Sequence, residues 1–405
     1  LNVYPARESQ GLLFLWPDDA ADRFSECQAK DMPVAPEFGT IREEQSVTDW
    51  TRNYVPVDWD VMAENSFDPL HATFMSERLP DSITPDTNVP MDTFKLMRCA
   101  VRRARNDPYL TEKVGKGIDS QGDDDFENLL LSSDGFVVEH RGYTKSNERM
   151  NATRTFSAPS SQVTRYQYDN GMRMSVQMFF VPSKPGESLV FTRTQVSWAN
   201  QHEVSRTIKA VLSAISMIVP KNLRIAESHI VGNPAGRKDY AVMNSVGTEL
   251  RAREAQGESW KSAYKPKARD FGVVTLRRWV DQFSGGKVAW GGAYGGQEGS
   301  SALMAESATL QRADRWGSHV KDCEVCRKTL RRLLAIKHAV PQIVYWMASA
   351  AAYSAAVRNL PWTIACMAAS GFALVVRSLA AKQAHRMLTS LPRSGFPEVD
   401  VKLIK

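Results

Sequence analysis

The last quarter of the chain contains two long stretches without a charged residue, at positions 339–357 and 359–376. Each is about long enough to cross the hydrocarbon core of a bilayer, for which roughly 20 residues suffice. Only Arg358 separates them, so the two stretches predict a helical hairpin. Basic residues flank the pair at both ends, which places both ends on one side of a membrane under the positive-inside rule. The alternative is a buried helix pair in a soluble bundle, because small residues are frequent in both stretches.

Shorter patterns before this hairpin predict a mixed fold. Residues 11–16 form an apolar run that ends at Pro17 and predict a buried strand. Residues 172–181 and 188–198 flank a proline-containing turn and predict a β-hairpin. Further strands are predicted at 136–139 and 272–280, helices at 57–66, 69–76 and 204–218, and segments without regular structure at 17–45 and 102–128. The predicted fold class is therefore α+β with a mainly antiparallel sheet.

Composition narrows the class of protein. With 43% hydrophobic and 24% charged residues, the 405-residue chain is expected to fold around a sizeable core. Its net charge of +6 is small for this length, so nucleic-acid binding is not indicated. Five cysteines are too few for a disulfide framework, which favours a reducing or redox-regulated compartment. Leu1 lies in an apparent strand without a preceding Met, so we expect the natural chain to continue upstream.

One motif carries a resemblance to a known family. Asn65, Asp68 and His71 follow the pattern Asn-x-x-Asp-x-x-His, and Asp68 before a proline is typical of a helix N-cap. Here the chain resembles the pheophorbide a oxygenase family, plastid Rieske-type non-haem iron oxygenases that act on chlorophyll-derived tetrapyrroles. Residues 9–18 and the pattern His319-x-x-x-Cys323-x-x-Cys326 before a C-terminal membrane hairpin also match that family.

The resemblance implies a Rieske-oxygenase catalytic-type domain, but the metal ligands depart from the family pattern. The [2Fe–2S] cluster needs Cys-x-His and Cys-x-x-His pairs, and neither occurs here, so this chain does not encode that cluster. The mononuclear iron takes two His and one carboxylate. His71 is retained as a ligand position, whereas Ser76 replaces the second His and Ser228 replaces the carboxylate.

Several residues stay open as substitutes or as partners in this site. Glu77 and Glu227 could supply an oxygen ligand, and His229 flanks the Ser228 position. His71 could equally be kept only for hydrogen bonding. Asp68 would bridge the Rieske domain of one subunit to the iron of another in the family, although an N-cap needs no such role.

For Cys323 and Cys326 three interpretations stay open. They could form a reversible disulfide, since thiols three residues apart can come within bonding reach. They could be inert thiols, or they could bind a metal with His319 as a third ligand, although zinc requires four.

The predicted organisation is a Rieske-type remnant and linker (1–45), a catalytic-type domain (46–300), a connector with the two cysteines (301–338), a two-helix anchor (339–377) and a basic tail (378–405).

The sequence leaves three hypotheses for the function of the chain. One is a catalytically degenerate subunit, structural or pigment-binding, of a plastid membrane complex. The second is an active oxygenase of a chlorophyll-derived tetrapyrrole, and the third a redox-sensing accessory. The expected partners are plastid membrane lipid, other membrane subunits and a tetrapyrrole pigment, with the non-membrane part on the stromal side of the thylakoid or inner envelope.

Overall fold

The computed structural model describes residues 4–16, 23–29, 31–39, 45–47, 49–68, 92–97, 118–119, 133–143, 149–169, 171–198, 219–232, 238–263, 270–285 and 314–389. The chain divides into two compact units. The first comprises residues 1–51, 57–203 and 241–301, and the second comprises residues 52–56, 204–240 and 302–405.

Strands predominate in the first half of the chain and helices in the second. The strands are β1 (Ala6–Ser9), β2 (Leu12–Leu15), β3 (Gln45–Val47), β4 (Thr51–Val55), β5 (Asp92–Met97), β6 (Ile118–Asp119), β7 (Gly135–Tyr143), β8 (Arg149–Ser157), β9 (Ser161–Tyr168), β10 (Met172–Lys184) and β11 (Glu187–Trp198). The helices are α1 (Arg23–Ala29), α2 (Trp59–Phe67), α3 (Lys221–Gly232), α4 (Lys238–Ala255), α5 (Trp260–Ala263), α6 (Phe271–Phe283), α7 (Glu324–Ala356) and α8 (Leu360–Leu388). A 3₁₀ turn lies at Pro36–Phe38 and a π-helical turn at Trp316–Val320.

The first unit is built on an antiparallel sheet with the strand order β3-β11-β10-β9-β8-β7-β5-β6. Strands β10 and β11 are joined by the two residues Pro185 and Gly186, and Gly186 has a positive φ of 74° that this tight turn requires. The backbone N–H of Gly186 donates to Asp58 Oδ1 at 2.7 Å, which connects the hairpin tip to the residue before α2. Strands β1 and β2 form a separate antiparallel pair.

Aromatic side chains form the centre of the first unit. The ring of Phe136 lies 5.1 Å from that of Phe67 and 5.3 Å from that of Phe156, and Trp279 of α6 lies 4.7 Å from Phe156, all as centroid distances. All four side chains are buried. Helices α2 and α6 approach closely at Gly272, where an added Cβ would lie 2.8 Å from the carbonyl oxygen of Phe67.

The second unit is a helical assembly in which α3 packs against α7, and α7 against α8. Helices α7 and α8 are antiparallel, because Ser354 contacts Thr363 near the connection and Arg377, about four turns farther along α8, donates to the carbonyl of Lys337. Asn359 caps α8 by accepting from the backbone N–H of Trp362. The apolar core of this unit is formed by Ala226, Ile230, Val320, Cys326, Leu330, Leu333, Leu334, Ala380, Ala384 and Met387.

The structure confirms the α+β class and several predicted elements. The strand at 136–139, the helix at 57–66 and the hairpin around residue 185 are all present, with shifted ends. A strand also forms within 11–16, but the prediction that it is buried is wrong, because Leu13 and Leu15 of β2 are exposed. The predicted helices at 69–76 and 204–218 lie outside the described residues, and the predicted domain boundaries stay a prediction.

Three element predictions are wrong. Residues 272–280 form helix α6 rather than a strand, since the buried Val273, Leu276 and Val280 recur at the spacing of a helix face. The segment 17–45 contains helix α1 and a 3₁₀ turn. Within 102–128, Ile118–Asp119 pairs with β5 as strand β6.

The apolar stretches lie within α7 and α8. Among the described helices one, Leu360–Leu388, is long and apolar enough to cross a membrane by length and composition. Helix α7 begins at Glu324, well before the first uncharged stretch, and carries Pro341 in its interior. The two-span membrane hairpin therefore stays a prediction.

Candidate metal centre

A cluster of two histidines and two cysteines lies in the second unit, where helix α7 begins. The π-helical turn at Trp316–Val320 carries His319, Cys323 is the N-cap of α7, and Cys326 lies in its first turn. The backbone N–H of Cys323 donates to the carbonyl of His319 at 3.1 Å, so this turn brings the three residues to one side. The fourth member, His229, comes from α3.

The donor atoms of the four side chains converge on one point. They all lie within 4.8 Å of one another. His229 Nδ1 is 3.2 Å from His319 Nε2, 3.5 Å from Cys323 Sγ and 3.4 Å from Cys326 Sγ. Cys326 Sγ is also 3.4 Å from His319 Nε2.

The surroundings fix the tautomer of one imidazole. His319 Nδ1 lies 2.7 Å from the carbonyl oxygen of Arg52, and a carbonyl can only accept a hydrogen bond. Nδ1 therefore carries the proton, which leaves the Nε2 lone pair facing the cluster. His229, His319 and Cys326 are buried, while Cys323 is partly exposed. Among the described residues His229 Nε2 has no hydrogen-bond partner.

The two thiols differ electrostatically. Hydrogen bonding from Cys326, together with both imidazoles, lowers the pKa of Cys323. The neighbouring Cys323 and burial raise the pKa of Cys326. Both are free cysteines in the described structure. Arg52 and Asp322 form an ion pair of 3.0 Å beside the cluster. Two thiols and two imidazole nitrogens at these distances can bind a transition-metal ion, and the two thiols can be oxidised.

The residues predicted for an iron site have other contacts or lie outside the described structure. His71, Ser76 and Glu77 lie outside the described residues. Asp68 terminates α2, with its backbone N–H donating to the carbonyl of Glu64. The predicted N-cap role of Asp68 concerns a segment outside the described residues.

On helix α3 the predicted oxygen ligand Glu227 and the neighbouring Ser228 both have other partners. Glu227 forms an ion pair of 2.7 Å with Arg386 and accepts from Gln383. Ser228 Oγ donates to the carbonyl of Ile225 at 2.8 Å within its own helix. His229, expected beside a rebuilt iron site, instead belongs to the His/Cys cluster. The spacing of His319, Cys323 and Cys326 marks these three residues in the sequence, but no sequence signal pairs His229 with them.

The sequence analysis also does not predict the buried carboxylate of Glu64 in the first unit. Glu64 of α2 lies 2.7 Å from Arg277 of α6, and both side chains are nearly buried. Burial raises the pKa of Glu64 to about 7, although the charge of Arg277 opposes this. Burial likewise raises the pKa of Asp60, one turn earlier on α2.

Two curated relatives of the chain are chloroplastic proteins, and they agree with the resemblance to plastid Rieske-type oxygenase-like proteins. No protein-family model matches the chain. The chain is 23% identical over 359 residues to flavonoid 8-hydroxylase 2, chloroplastic, of Ocimum basilicum. This match covers 87% of this chain and 59% of that protein. The chain is also 23% identical over 350 residues to protochlorophyllide-dependent translocon component 52, chloroplastic, of Arabidopsis thaliana, covering 83% of this chain and 56% of that protein. The chain thus spans less than two thirds of either relative.

Among solved structures the chain is similar to monooxygenases at low sequence identity. Dicamba monooxygenase bound to dicamba matches with a TM-score of 0.43 and 11% identity, covering 70% of this chain and 69% of that chain. The caffeine-bound NdmA variant of Pseudomonas putida CBB5 matches with a TM-score of 0.35 and 11% identity, covering 69% and 60%.

Proposed function

We propose that this chain is the membrane-anchored, catalytic-type part of a plastid Rieske oxygenase-like protein whose iron site has degenerated. It acts as a structural or pigment-binding subunit of a plastid membrane complex. This proposal rests on the contacts that Ser228 and Glu227 make on helix α3. There Ser228 bonds to its own helix and the nearest carboxylate, Glu227, is paired with Arg386. A mononuclear iron site needs a carboxylate with an oxygen available to the metal.

The exposed surface of the C-terminal helices supports membrane anchoring. Trp346, Tyr353 and Phe372 are 70%, 73% and 71% exposed. Large aromatic side chains this exposed are unfavourable in water and suit the interfacial and hydrocarbon regions of a bilayer. Basic residues at both ends of the hairpin favour a stromal location for the rest of the chain. Contacts with other membrane subunits would use the small residues of the same helices.

Iron content tests the degenerate-site proposal. The purified chain, reconstituted anaerobically with Fe(II), is analysed for iron by mass spectrometry, alongside His71→Ala and the control His338→Ala on the exposed face of α7. We expect iron far below one per chain, with no change in either variant. About one iron per chain that is lost in His71→Ala and kept in His338→Ala would contradict the proposal. Glu77 and Glu227 would then be the next ligands to substitute.

An active oxygenase is the second candidate. It is favoured by the named activity of one relative, a flavonoid hydroxylase, and by the chloroplastic location of both. The substrate would be a flavonoid or a chlorophyll-derived tetrapyrrole. Stoichiometric iron in the same reconstitution, together with substrate-dependent oxygen consumption when a Rieske electron donor is supplied, would support this candidate and refute the first.

A redox-sensing role for Cys323 and Cys326 is the third candidate, supported by two free thiols three residues apart. Alkylation and mass spectrometry after oxidant treatment should then find these two residues disulfide-bonded and Cys27 unpaired. If oxidant leaves both thiols alkylatable, this role is excluded.

A further inference from the structure

We propose that His229, His319, Cys323 and Cys326 form a structural zinc site. The proposal is independent of whether the chain retains oxygenase iron. It rests on the positions of the four donor atoms, all of which belong to the second unit.

The distances fit a tetrahedral zinc ion. Zinc binds imidazole nitrogen at about 2.0–2.1 Å and thiolate sulfur at about 2.3 Å. A regular tetrahedron with these bonds has a nitrogen–nitrogen edge of about 3.3 Å and nitrogen–sulfur edges of about 3.5 Å. The corresponding distances are 3.2 Å between the two histidines and 3.4, 3.4 and 3.5 Å between nitrogen and sulfur.

Hydrogen bonding alone does not account for this convergence. The proton of His319 is on Nδ1 and is donated to Arg52, so His319 Nε2 offers a lone pair to the cluster. His229 Nδ1 lies within reach of three other donor atoms but carries at most one proton. Protons can satisfy these atoms only pair by pair, whereas one cation at the centre satisfies all four.

The hydrogen bond behind His319 supports a metal role. Zinc-binding histidines usually donate their other ring N–H to a carbonyl or carboxylate, which fixes the ring and its tautomer. The contact between His319 and the Arg52 carbonyl is of this kind. Two thiolates and two neutral imidazoles also neutralise Zn²⁺, so the site places no net charge next to the apolar core that contains Cys326.

The ligand set distinguishes zinc from the metals of the resembled family. In a Rieske cluster the two cysteines and two histidines bind different irons. The irons and bridging sulfides then separate the thiolates from the imidazoles, whereas here they are in van der Waals contact. The mononuclear iron of that family uses a carboxylate and open positions, and this cluster has neither. Four protein ligands, three of them buried, describe a closed site of the structural type.

The site would fasten helix α3 to the start of α7. His229 is the contribution of α3, and the other three ligands belong to the turn before α7 and its first turn. The same helices are joined by Thr329 Oγ1, which donates to the Asn222 carbonyl at 3.3 Å, and by the apolar core. A bound ion would add a fixed link to this junction at the base of the C-terminal hairpin.

Metal content and cobalt spectroscopy test the proposal. The full chain is purified in detergent, and zinc is measured by mass spectrometry. We expect about one zinc per chain, and Co²⁺ exchanged into the protein should give the visible bands of a tetrahedral site with sulfur ligands. His229→Ala and Cys326→Ser should lose the zinc and the cobalt bands. The matched controls His338→Ala and Cys366→Ser, which substitute a histidine and a cysteine outside the cluster, should keep both.

Specific results would overturn the proposal. These are wild-type protein that keeps its helical circular dichroism but binds neither zinc nor cobalt, or zinc that persists in His229→Ala. Two irons per chain with the absorption of an iron–sulfur cluster would also overturn it. If a ligand variant fails to fold, the cobalt spectrum of the wild type still decides whether two sulfurs and two nitrogens bind the metal. Removal of zinc by a chelator should also lower the unfolding temperature of the wild type and leave His229→Ala unaffected.

Discussion

The buried carboxylate of Glu64 is expected to make the stability of the first unit depend on pH. Its neighbours are Arg277 at 2.7 Å on α6, Asp60 on α2 and Glu254 on α4. Burial opposes ionisation more strongly than Arg277 favours it, which raises the pKa of Glu64 from 4.5 to about 7. A shift of this size corresponds to about 3 kcal/mol.

The sign follows from proton linkage. Below about pH 4.5 the carboxyl group is protonated in both the folded and the unfolded chain, and its stabilising contribution is complete. Between about pH 4.5 and pH 7 the unfolded chain releases the proton while the folded chain retains it, so the free energy of unfolding falls. Above about pH 8 the fall is complete. The variant Glu64→Gln is neutral at every pH and lacks this dependence.

The assay is urea unfolding of the full chain in detergent at a series of pH values, for wild type and Glu64→Gln. Subtracting the two curves cancels the titration of groups that do not interact with Glu64, whereas Asp60 and Glu254 interact with it and contribute to the difference. We expect the free energy of unfolding of the wild type to fall relative to Glu64→Gln by about 3 kcal/mol between pH 4.5 and 8. Glu249→Gln, which removes an exposed carboxylate from α4, is the control for the loss of one charge. A constant difference would mean that the ion pair with Arg277 cancels the effect of burial, and a difference that rises with pH would mean that it outweighs burial. Either result would contradict a raised pKa of Glu64.

Three further predictions follow from packing and topology. Gly272→Ala should destabilise the first unit by about 1–2 kcal/mol in the same unfolding assay, because the added Cβ would press on the Phe67 carbonyl. The control Gly371→Ala on α8, where an added Cβ meets nothing within 4 Å, should be neutral or stabilising. Equal effects of the two substitutions would contradict the packing argument. In lipid vesicles, Trp346 fluorescence in a variant with the other tryptophans replaced should be quenched by brominated acyl chains; quenching only by aqueous iodide would exclude membrane contact at that position. Protease added to the stromal side of sealed vesicles should remove both the domain before α7 and the tail after α8, whereas protection of the tail alone would mean a single crossing.

The sequence predicts well where one local signal dominates. The β10–β11 hairpin follows from the two stretches that flank the turn at Pro185 and Gly186. The strand prediction for residues 272–280 is wrong because Val273, Val274 and Thr275 are β-branched, a preference that packing against α2 overrides.

Long-range pairing limits what the sequence can predict of the site. The His-x-x-x-Cys-x-x-Cys spacing indicates three members of the metal centre, but the fourth, His229, lies 90 residues before His319. The packing of α3 against α7 places His229 beside the other three residues, and the sequence around His229 does not predict that contact. Glu64 likewise meets Arg277 across 213 residues, so its burial and raised pKa follow only from the packed structure.

X-ray absorption of the purified full chain at both the zinc and iron edges tests both metal proposals in one sample. The two proposals are that the His/Cys cluster binds zinc and, independently, that the oxygenase iron site has degenerated. We predict about one zinc per chain with two sulfur neighbours at about 2.3 Å and two nitrogen neighbours at about 2.0 Å, and iron far below one per chain. Stoichiometric iron with only nitrogen and oxygen neighbours, and no zinc bound to sulfur, would contradict the account.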